Sequence, residues 1–203
     1  MLNYRYFLYC ILLLVSACTT LPKQSEKPPA TSTAIHHQHL AKLNAIKSFS
    51  LKGRLGVVTQ KQGFSGSINW QHATLNDNID VYSPLGGQLA NIKKDAQGVT
   101  LTTQEGRNIT AKTAESLTES SLGFKLPLAG LSDWALGKPS LSTIDASSWD
   151  DQGRILTLQQ DGWDIAYENY ADNNGVSLPN KVVLKSEQLN LKLLIENWSD
   201  ITQ

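Results

Sequence analysis

A mainly β fold, with one long antiparallel sheet curled beneath helices, is what this sequence predicts, and three observations carry the prediction. From residue 49 onward, apolar and polar residues alternate at a period of two along most of the chain. Clusters of turn-forming residues divide these runs, and the connections are too short to hold crossover helices, so neighbouring strands must be antiparallel. A stretch of helical periodicity interrupts the alternation between residues 114 and 136 and another precedes it, which supplies cover for one face of the sheet.

The chain opens with Arg5, an apolar run over residues 6–15, and Val15-Ser16-Ala17-Cys18. A bilayer span needs about 20 apolar residues, so this shorter run reads as a secretion signal rather than an anchor. Its small residues before Cys18 resemble the lipobox of bacterial lipoproteins. That resemblance implies cleavage before Cys18, an S-diacylglyceryl group on its thiol and an N-acyl group on its new amino terminus, with no cofactor besides this covalent lipid. One acyl chain holds only marginally, whereas two or more make a lasting anchor. Residues 18–32 contain Pro22, Pro28 and Pro29 and almost nothing apolar, and read as a linker. Residues 33–203 are then expected to form one domain.

Ile35, His39, Leu40, Leu43 and Ile46 recur at steps of three and four, with Ser32 or Thr33 placed as a cap, which predicts an amphipathic helix. Phe49, Leu51, Gly53, Leu55 and Val57 follow on one face of a strand. After a turn at residues 61–63, Phe64, Gly66, Ile68 and Trp70 do the same, and Ile79 and Val81 carry the pattern to Tyr82. Past the turn at residues 83–87, Leu89 and Ile92 mark a strand, residues 95–98 close a hairpin, Val99, Leu101 and Thr103 alternate, and a short strand at 108–110 ends the block. Thr113 caps a helix over Ala114–Leu122, and a second covers residues 131–136 until Gly137, Lys138 and Pro139 stop it. Strands resume over 155–159, 163–170, 179–185 and 189–198, divided by Asp161-Gly162 and Asn173-Asn174-Gly175. A sheet this long must curl, and its concave face is either filled, as in most small barrels, or keeps an apolar cavity.

Composition excludes several functions. The formal net charge is zero, falling to minus one once Arg5 leaves with the signal, and no block of like charge occurs, which disfavours a nucleic-acid partner. Cys10 leaves with the signal and Cys18 is consumed by lipid, so the mature fold has no disulfide, thiol nucleophile or cysteine metal site. Enzyme signatures are missing: Gly63-Phe64-Ser65-Gly66-Ser67 carries Ser where a nucleophile elbow needs its second glycine. His36, His37 and His39 could offer two imidazoles to a metal, and a solvated cluster without metal is the expectation.

At Tyr82-Ser83-Pro84-Leu85-Gly86-Gly87, following a strand that ends in Trp70, the chain resembles the LolB family of outer-membrane lipoprotein receptors. Further matches are Gly53, the stretch from Leu126-Pro127-Leu128 to Trp134-Ala135-Leu136-Gly137, and Gly162-Trp163-Asp164-Ile165-Ala166-Tyr167 with Tyr170. Leu178-Pro179-Asn180-Lys181 and Leu191-Lys192-Leu193-Leu194-Ile195-Glu196-Asn197-Trp198 complete them. The resemblance implies an open, incomplete antiparallel barrel with a helical lid over a hydrophobic cavity, the architecture of the soluble carrier LolA. It also implies a non-enzymatic receptor that accepts acylated lipoproteins from a LolA-like periplasmic carrier and inserts them into outer-membrane phospholipid. A monomer is expected, anchored in the outer membrane and facing the periplasm, and Thr19 fits, since it differs from the Asp that retains many lipoproteins in the inner membrane.

Two sets of site residues follow. Pro84 fixes the backbone and Gly86-Gly87 permit a tight turn, which places Leu85 at a loop tip. The family resemblance assigns such a leucine to membrane insertion of cargo, the alternative being a leucine folded back into the core. For the acyl-chain cavity the candidates are Leu55, Val57, Ile68, Trp70, Leu101, Trp134, Ile165, Tyr167, Val183, Leu193 and Ile195, with Phe64 and Trp198 beside them, and each could equally be plain core. A lipoprotein of the same fold that carries a free lipid or glycolipid would share sheet and lid, and the exposed Leu85 loop together with affinity for acylated protein discriminates between the two. A purely structural lipoprotein predicts no cavity.

Overall fold

The computed structural model describes residues 30–60, 63–122 and 128–203. The expected signal at residues 1–17, the lipidation site Cys18, the linker up to residue 29, Lys61-Gln62 of the first turn and Leu126-Pro127 lie outside the described residues.

The first and last strands of the chain meet in the middle of the sheet. Strand β1 (Ser48–Thr59) pairs on one side with β2 (Gly63–Ala73) and on the other with the last strand, β11 (Leu189–Thr202). From β2 the meander runs outward through β3 (Asn76–Tyr82), β4 (Gln88–Lys94), β5 (Val99–Thr103) and β6 (Asn108–Ala111). From β11 it runs the other way through β10 (Val176–Lys185), β9 (Trp163–Asn173), β8 (Ile155–Gln160) and β7 (Ile144–Trp149). Among the described residues this makes one eleven-stranded antiparallel sheet with β6 and β7 as its two edges. The chain passes between those edges through α2 (Ala114–Leu122) and α3 (Leu128–Ala135), while α1 (Ala30–Asn44) precedes β1.

Local sequence explains most of these elements. Phe49 and Leu51 of β1, Ile68 and Trp70 of β2 and Leu191, Leu193 and Ile195 of β11 point to one face and are all but inaccessible. Burial of each such side chain is worth about 1.5–3 kcal/mol, which fixes the register because a one-residue slip would turn them all to water. The Asp161-Gly162 and Asn174-Gly175 pairs both have positive φ at each position, the two-residue hairpin geometry that their sequences call for. Thr113 caps α2, its Oγ1 accepting the Ser116 amide at 3.2 Å. At the end of α3 the Gly137 amide reaches the Trp134 carbonyl and the Lys138 amide that of Asp133, a closing motif that needs the left-handed Gly137.

The structure departs from the sequence reading in several places, the first being that α1 begins at Ala30, inside the expected linker and ahead of the expected cap at Ser32 or Thr33. Strand β7 was not expected: every residue from Ile144 to Ser148 is exposed, so an edge strand held only by β8 carries no alternation to read. Strands β10 and β11 are longer than the pattern suggests, starting at Val176 and ending at Thr202. Helix α3 begins at Leu128 rather than at residue 131. The face of α1 is also rotated: Ile35 is exposed while His36, His39, Leu43 and Ile46 are buried.

That rotation corrects the expectation of a solvated histidine cluster. The His36 ring lies parallel to Trp149 at 4.2 Å, its Nδ1–H donates to the Gly153 carbonyl at 2.7 Å, and the Trp149 indole donates to Ser32 Oγ at 2.9 Å. Helix α1 thus docks on the β7–β8 loop through aromatic stacking, and only His37 of the three stays exposed. Among the described residues no group of acidic, histidine and cysteine side chains is arranged to hold a metal ion.

Candidate functional site: an apolar cavity under the helices

Between the concave face of the sheet and α2 lies an apolar cavity of about 380 Å³. Its floor is Leu55 and Val57 of β1, Val81 of β3, Ala90 and Ile92 of β4, Leu101 of β5 and Leu191 of β11, and its roof is Leu117, Thr118 and Ser121 of α2. A lobe of about 70 Å³ shares Leu55, Val81, Ile92 and Leu191 with it and continues under α3, bounded by Ile68, Trp70, Ile79, Leu131, Trp134, Val182, Leu184 and Leu193. For scale, an engineered apolar cavity of about 150 Å³ stays dry and takes in benzene. By that ratio the larger lobe holds on the order of fifteen carbons.

The alternation of the strands aims these side chains inward, and one irregularity adds to them. Where β3 meets β4, Val81 pairs with Ala90 but Tyr82 pairs with Gln88, leaving Leu89 as the extra residue of a bulge. Leu89 and Ala90 therefore both border the cavity although they are adjacent in sequence. Phe64 lies at the rim, lining the cavity while 36% exposed. A Cβ at Gly66 would sit 2.1 Å from the Tyr82 carbonyl oxygen and 2.8 Å from the tip of the Phe64 ring, so only glycine lets that ring lie over the strand pair.

Of the residues singled out in the sequence, Leu55, Val57 and Leu101 border the larger lobe, and Leu55, Ile68, Trp70, Trp134 and Leu193 the smaller. Ile165, Tyr167 and Ile195 point to the same side and are buried, but pack in the core away from both lobes. Trp198 packs against the core at the far end of β11, its ring edge-on to Phe49 at 5.3 Å and its indole donating to the Pro179 carbonyl. Val183 is placed on the opposite face, paired with Ala166 and Lys192, because Val182 and Leu184 take the inward positions of β10. In a Val-Val-Leu run the period of two gives no phase, and the expected cavity residue Val183 gives way to Val182. The underside of α2 was missed as well, although Leu117 and Ser121 stand four residues apart, the spacing that puts two side chains on one helix face.

Polar anchors hold the walls. Trp134 is fully buried and donates its indole N–H to Gln160 Oε1 at 2.9 Å. Trp70 donates to Asp77 Oδ1 at 2.9 Å, and the same carboxylate takes His72 Nδ1 at 2.7 Å and Lys94 Nζ at 3.4 Å. Burial pushes the Asp77 carboxyl up, but the hydrogen bonds from His72 and Trp70 with the nearby charges outweigh it and hold the group below the usual carboxylate range. Burial drives the Tyr167 phenol well above its ordinary value, with Tyr170 and Asp133 adding to it, and the hydroxyl makes no hydrogen bond among the described residues.

The loop between β3 and β4 joins two strands that border the cavity, through Val81 on one side and Leu89 on the other. The Gly86 amide donates to the Ser83 carbonyl at 2.9 Å, the Ser83 amide to the Gly87 carbonyl at 2.8 Å and the Gly87 amide to Ser83 Oγ at 3.1 Å. Gly86 has φ +87°, the left-handed residue this three-residue hairpin needs. Pro84, Leu85 and Gly86 form its tip, and Leu85 is 99% exposed, so it does not fold back onto the core.

The family described as outer membrane lipoprotein LolB matches residues 47–198. The outer-membrane lipoprotein LolB of Nitrosomonas europaea is 37% identical over 161 residues, 78% of this chain and 76% of that protein. That of Cellvibrio japonicus is 32% identical over 201 residues, 95% of this chain and 97% of the relative. Among solved structures, a LolA superfamily protein of Nitrosomonas europaea superposes with a TM-score of 0.50 at 11% identity, over 82% of this chain and 92% of its own. A DUF1329 family protein from Desulfovibrio piger gives 0.51 at 7% identity, over 85% and 92%. These two likenesses establish the fold: a mainly antiparallel sheet, not closed, with a few helices.

Proposed function

This chain belongs to the LolB family of outer-membrane lipoproteins, and from that premise we propose that it is the membrane-anchored receptor that takes acylated lipoproteins from a LolA-like carrier and passes them into the outer membrane. The observation that carries the reading is the almost entirely apolar cavity of about 380 Å³ under α2, beside a loop that presents a bare leucine to solvent. An acyl chain crossing water costs about 0.8 kcal/mol per methylene, so a chain of fifteen carbons would meet a barrier of order 10 kcal/mol. Moving the chain directly from one apolar cavity to another avoids that barrier. Release then needs only a bilayer that holds the chain better than the cavity does, and no step calls for catalysis or a cofactor.

Within this reading Leu55, Val57, Leu101 and Leu117 contact the acyl chain, Phe64 and Leu89 stand at the cavity rim, and Pro84-Leu85-Gly86 meet the lipid surface. Cys18 carries the anchor, and the domain works as a monomer. The test is a transfer assay in which labelled lipoprotein bound to the carrier is mixed with this protein in detergent-free vesicles and the label is followed. Label moving first onto this protein and then into lipid is the expected result. Label remaining on the carrier, with this protein shown to be folded, would refute the receptor reading and favour a lipoprotein that binds a free lipid.

A further inference from the structure

We propose that Leu141 is a second point of contact with the lipid bilayer, so that two apolar prongs at one end of the sheet set the attitude of the domain to the membrane. The inference rests on the membrane role proposed above for Leu85 and extends it to a loop that no sequence motif marks.

Leu85 and Leu141 are the two large apolar side chains among the described residues that keep essentially all their surface in water, at 99% and 105% of the reference exposure. Strand directions put them at the same end. Leu85 follows the end of β3, where β2 begins; β1 finishes there opposite the start of β11, since Thr59 pairs with Leu189. Lys185 pairs with Asn190 and with Asp164, and Gln160 with Trp163 and Ile144, so the last residues of β10 and β8 and the first of β9 and β7 share that end. Leu141 lies three residues before Ile144.

The Leu141 loop is held rather than loose. The carboxamide of Gln160 is fully buried; it accepts the Ser140 amide at 2.9 Å and donates to the carbonyls of Ser140 and Ser142 at 3.2 and 2.8 Å. Ser142 Oγ donates to Asp161 Oδ2 at 2.7 Å. A leucine flanked by two such clamped serines cannot turn inward, and a rigid tip loses little conformational freedom on insertion. Neither segment, Ser83-Pro84-Leu85-Gly86-Gly87 or Pro139-Ser140-Leu141-Ser142-Thr143, contains a charged residue of its own, and the exposed Asp161 carboxylate at the base of the second is held by Ser142 rather than at the leucine tip.

Bare leucines on uncharged loops suit a fluid hydrocarbon surface, which needs no matching shape. A protein partner is ordinarily gripped by Trp, Tyr or Arg, and leucine is under-represented among residues that dominate such interfaces. Two prongs also do what one cannot: a single tip leaves the domain free to swivel, whereas two at one end fix which rim of the cavity faces the lipid.

The experiment places an environment-sensitive fluorophore on Leu85→Cys, Leu141→Cys or Leu75→Cys in the full-length lipidated protein, reconstituted in phosphatidylethanolamine and phosphatidylglycerol vesicles with spin-labelled acyl chains. Leu75, exposed at the β2–β3 turn on the opposite end of the sheet, is the control. The expected result is loss of emission at positions 85 and 141 and none at 75. Quenching at 85 with none at 141 overturns this inference and leaves the Leu85 reading intact. Quenching at 141 without 85 sinks the Leu85 reading and overturns the two-prong arrangement with it, and emission unchanged at both refutes both. A response at 141 that comes only with carrier and cargo, and not with spin-labelled lipid, also overturns it, in favour of a protein contact.

Discussion

Replacing Leu85 separates folding from delivery more sharply than any other single change. The side chain is 99% exposed and borders neither lobe of the cavity, so its removal forfeits almost no burial and the stability of the fold should change by less than about 0.5 kcal/mol. In the bilayer the balance differs. Leu85→Ala removes three carbons at about 0.8 kcal/mol each, near 2.4 kcal/mol, which at about 1.4 kcal/mol per decade is a loss of about 50-fold in the lipid-contacting step. Leu85→Glu adds a charge that lipid rejects, so its loss should exceed that of Leu85→Ala. The assay follows labelled lipoprotein in two stages, from carrier to this protein and from this protein to vesicles, with urea unfolding run in parallel. Acceptance should be unchanged for both variants and release slowed in the order Ala, then Glu. Release at the rate of the unaltered protein, or acceptance lost in step with release, would refute the reasoning.

Other outcomes are expected from the same geometry. Ala90→Phe projects a ring into the 380 Å³ lobe and displaces roughly six carbons of cargo; uptake of acylated lipoprotein should fall while stability shifts by no more than about 1–3 kcal/mol, and unimpaired uptake would mean that cargo binds elsewhere. Gln160→Ala strips the partner from the Trp134 indole and the Ser140 amide, both of which it now satisfies, for a loss of about 2–4 kcal/mol that denaturant titration would register. Burial, reinforced by the charge of His36, lowers the pKa of His39 below its ordinary 6.5, with Asp150 pulling against it. The unfolded chain therefore binds the proton first, so the stability that neutral His39 contributes is complete above 6.5 and is lost as the pH falls through its folded value. Acidification should loosen α1 from the β7–β8 loop, seen as a change in Trp149 fluorescence, and His39→Phe should flatten that dependence.

The strand-and-turn grammar is legible in the sequence. Alternation in residues 49–57 and 64–70, the Asp-Gly and Asn-Gly turns, the Thr113 cap and the Gly137 stop are local devices, each written in a few neighbouring residues. The exposed Leu85 tip belongs with them, since Pro84 and Gly86 make a turn with no room to fold back. The remaining features depend on residues far apart in the chain and are legible only in the assembled fold. Strand β7 exists through its pairing with β8 and carries no pattern of its own. His36 is buried because Trp149, more than a hundred residues away, offers its ring face. Whether Val182 or Val183 looks inward was fixed by β9 and β11 on either side. The cavity is the furthest from the sequence: Leu55, Ile92, Leu101 and Leu117 would read the same in a filled core. Only the span left between α2 and a curled sheet keeps their side chains from closing the gap, and that distance is set by the whole fold and not by any segment of it.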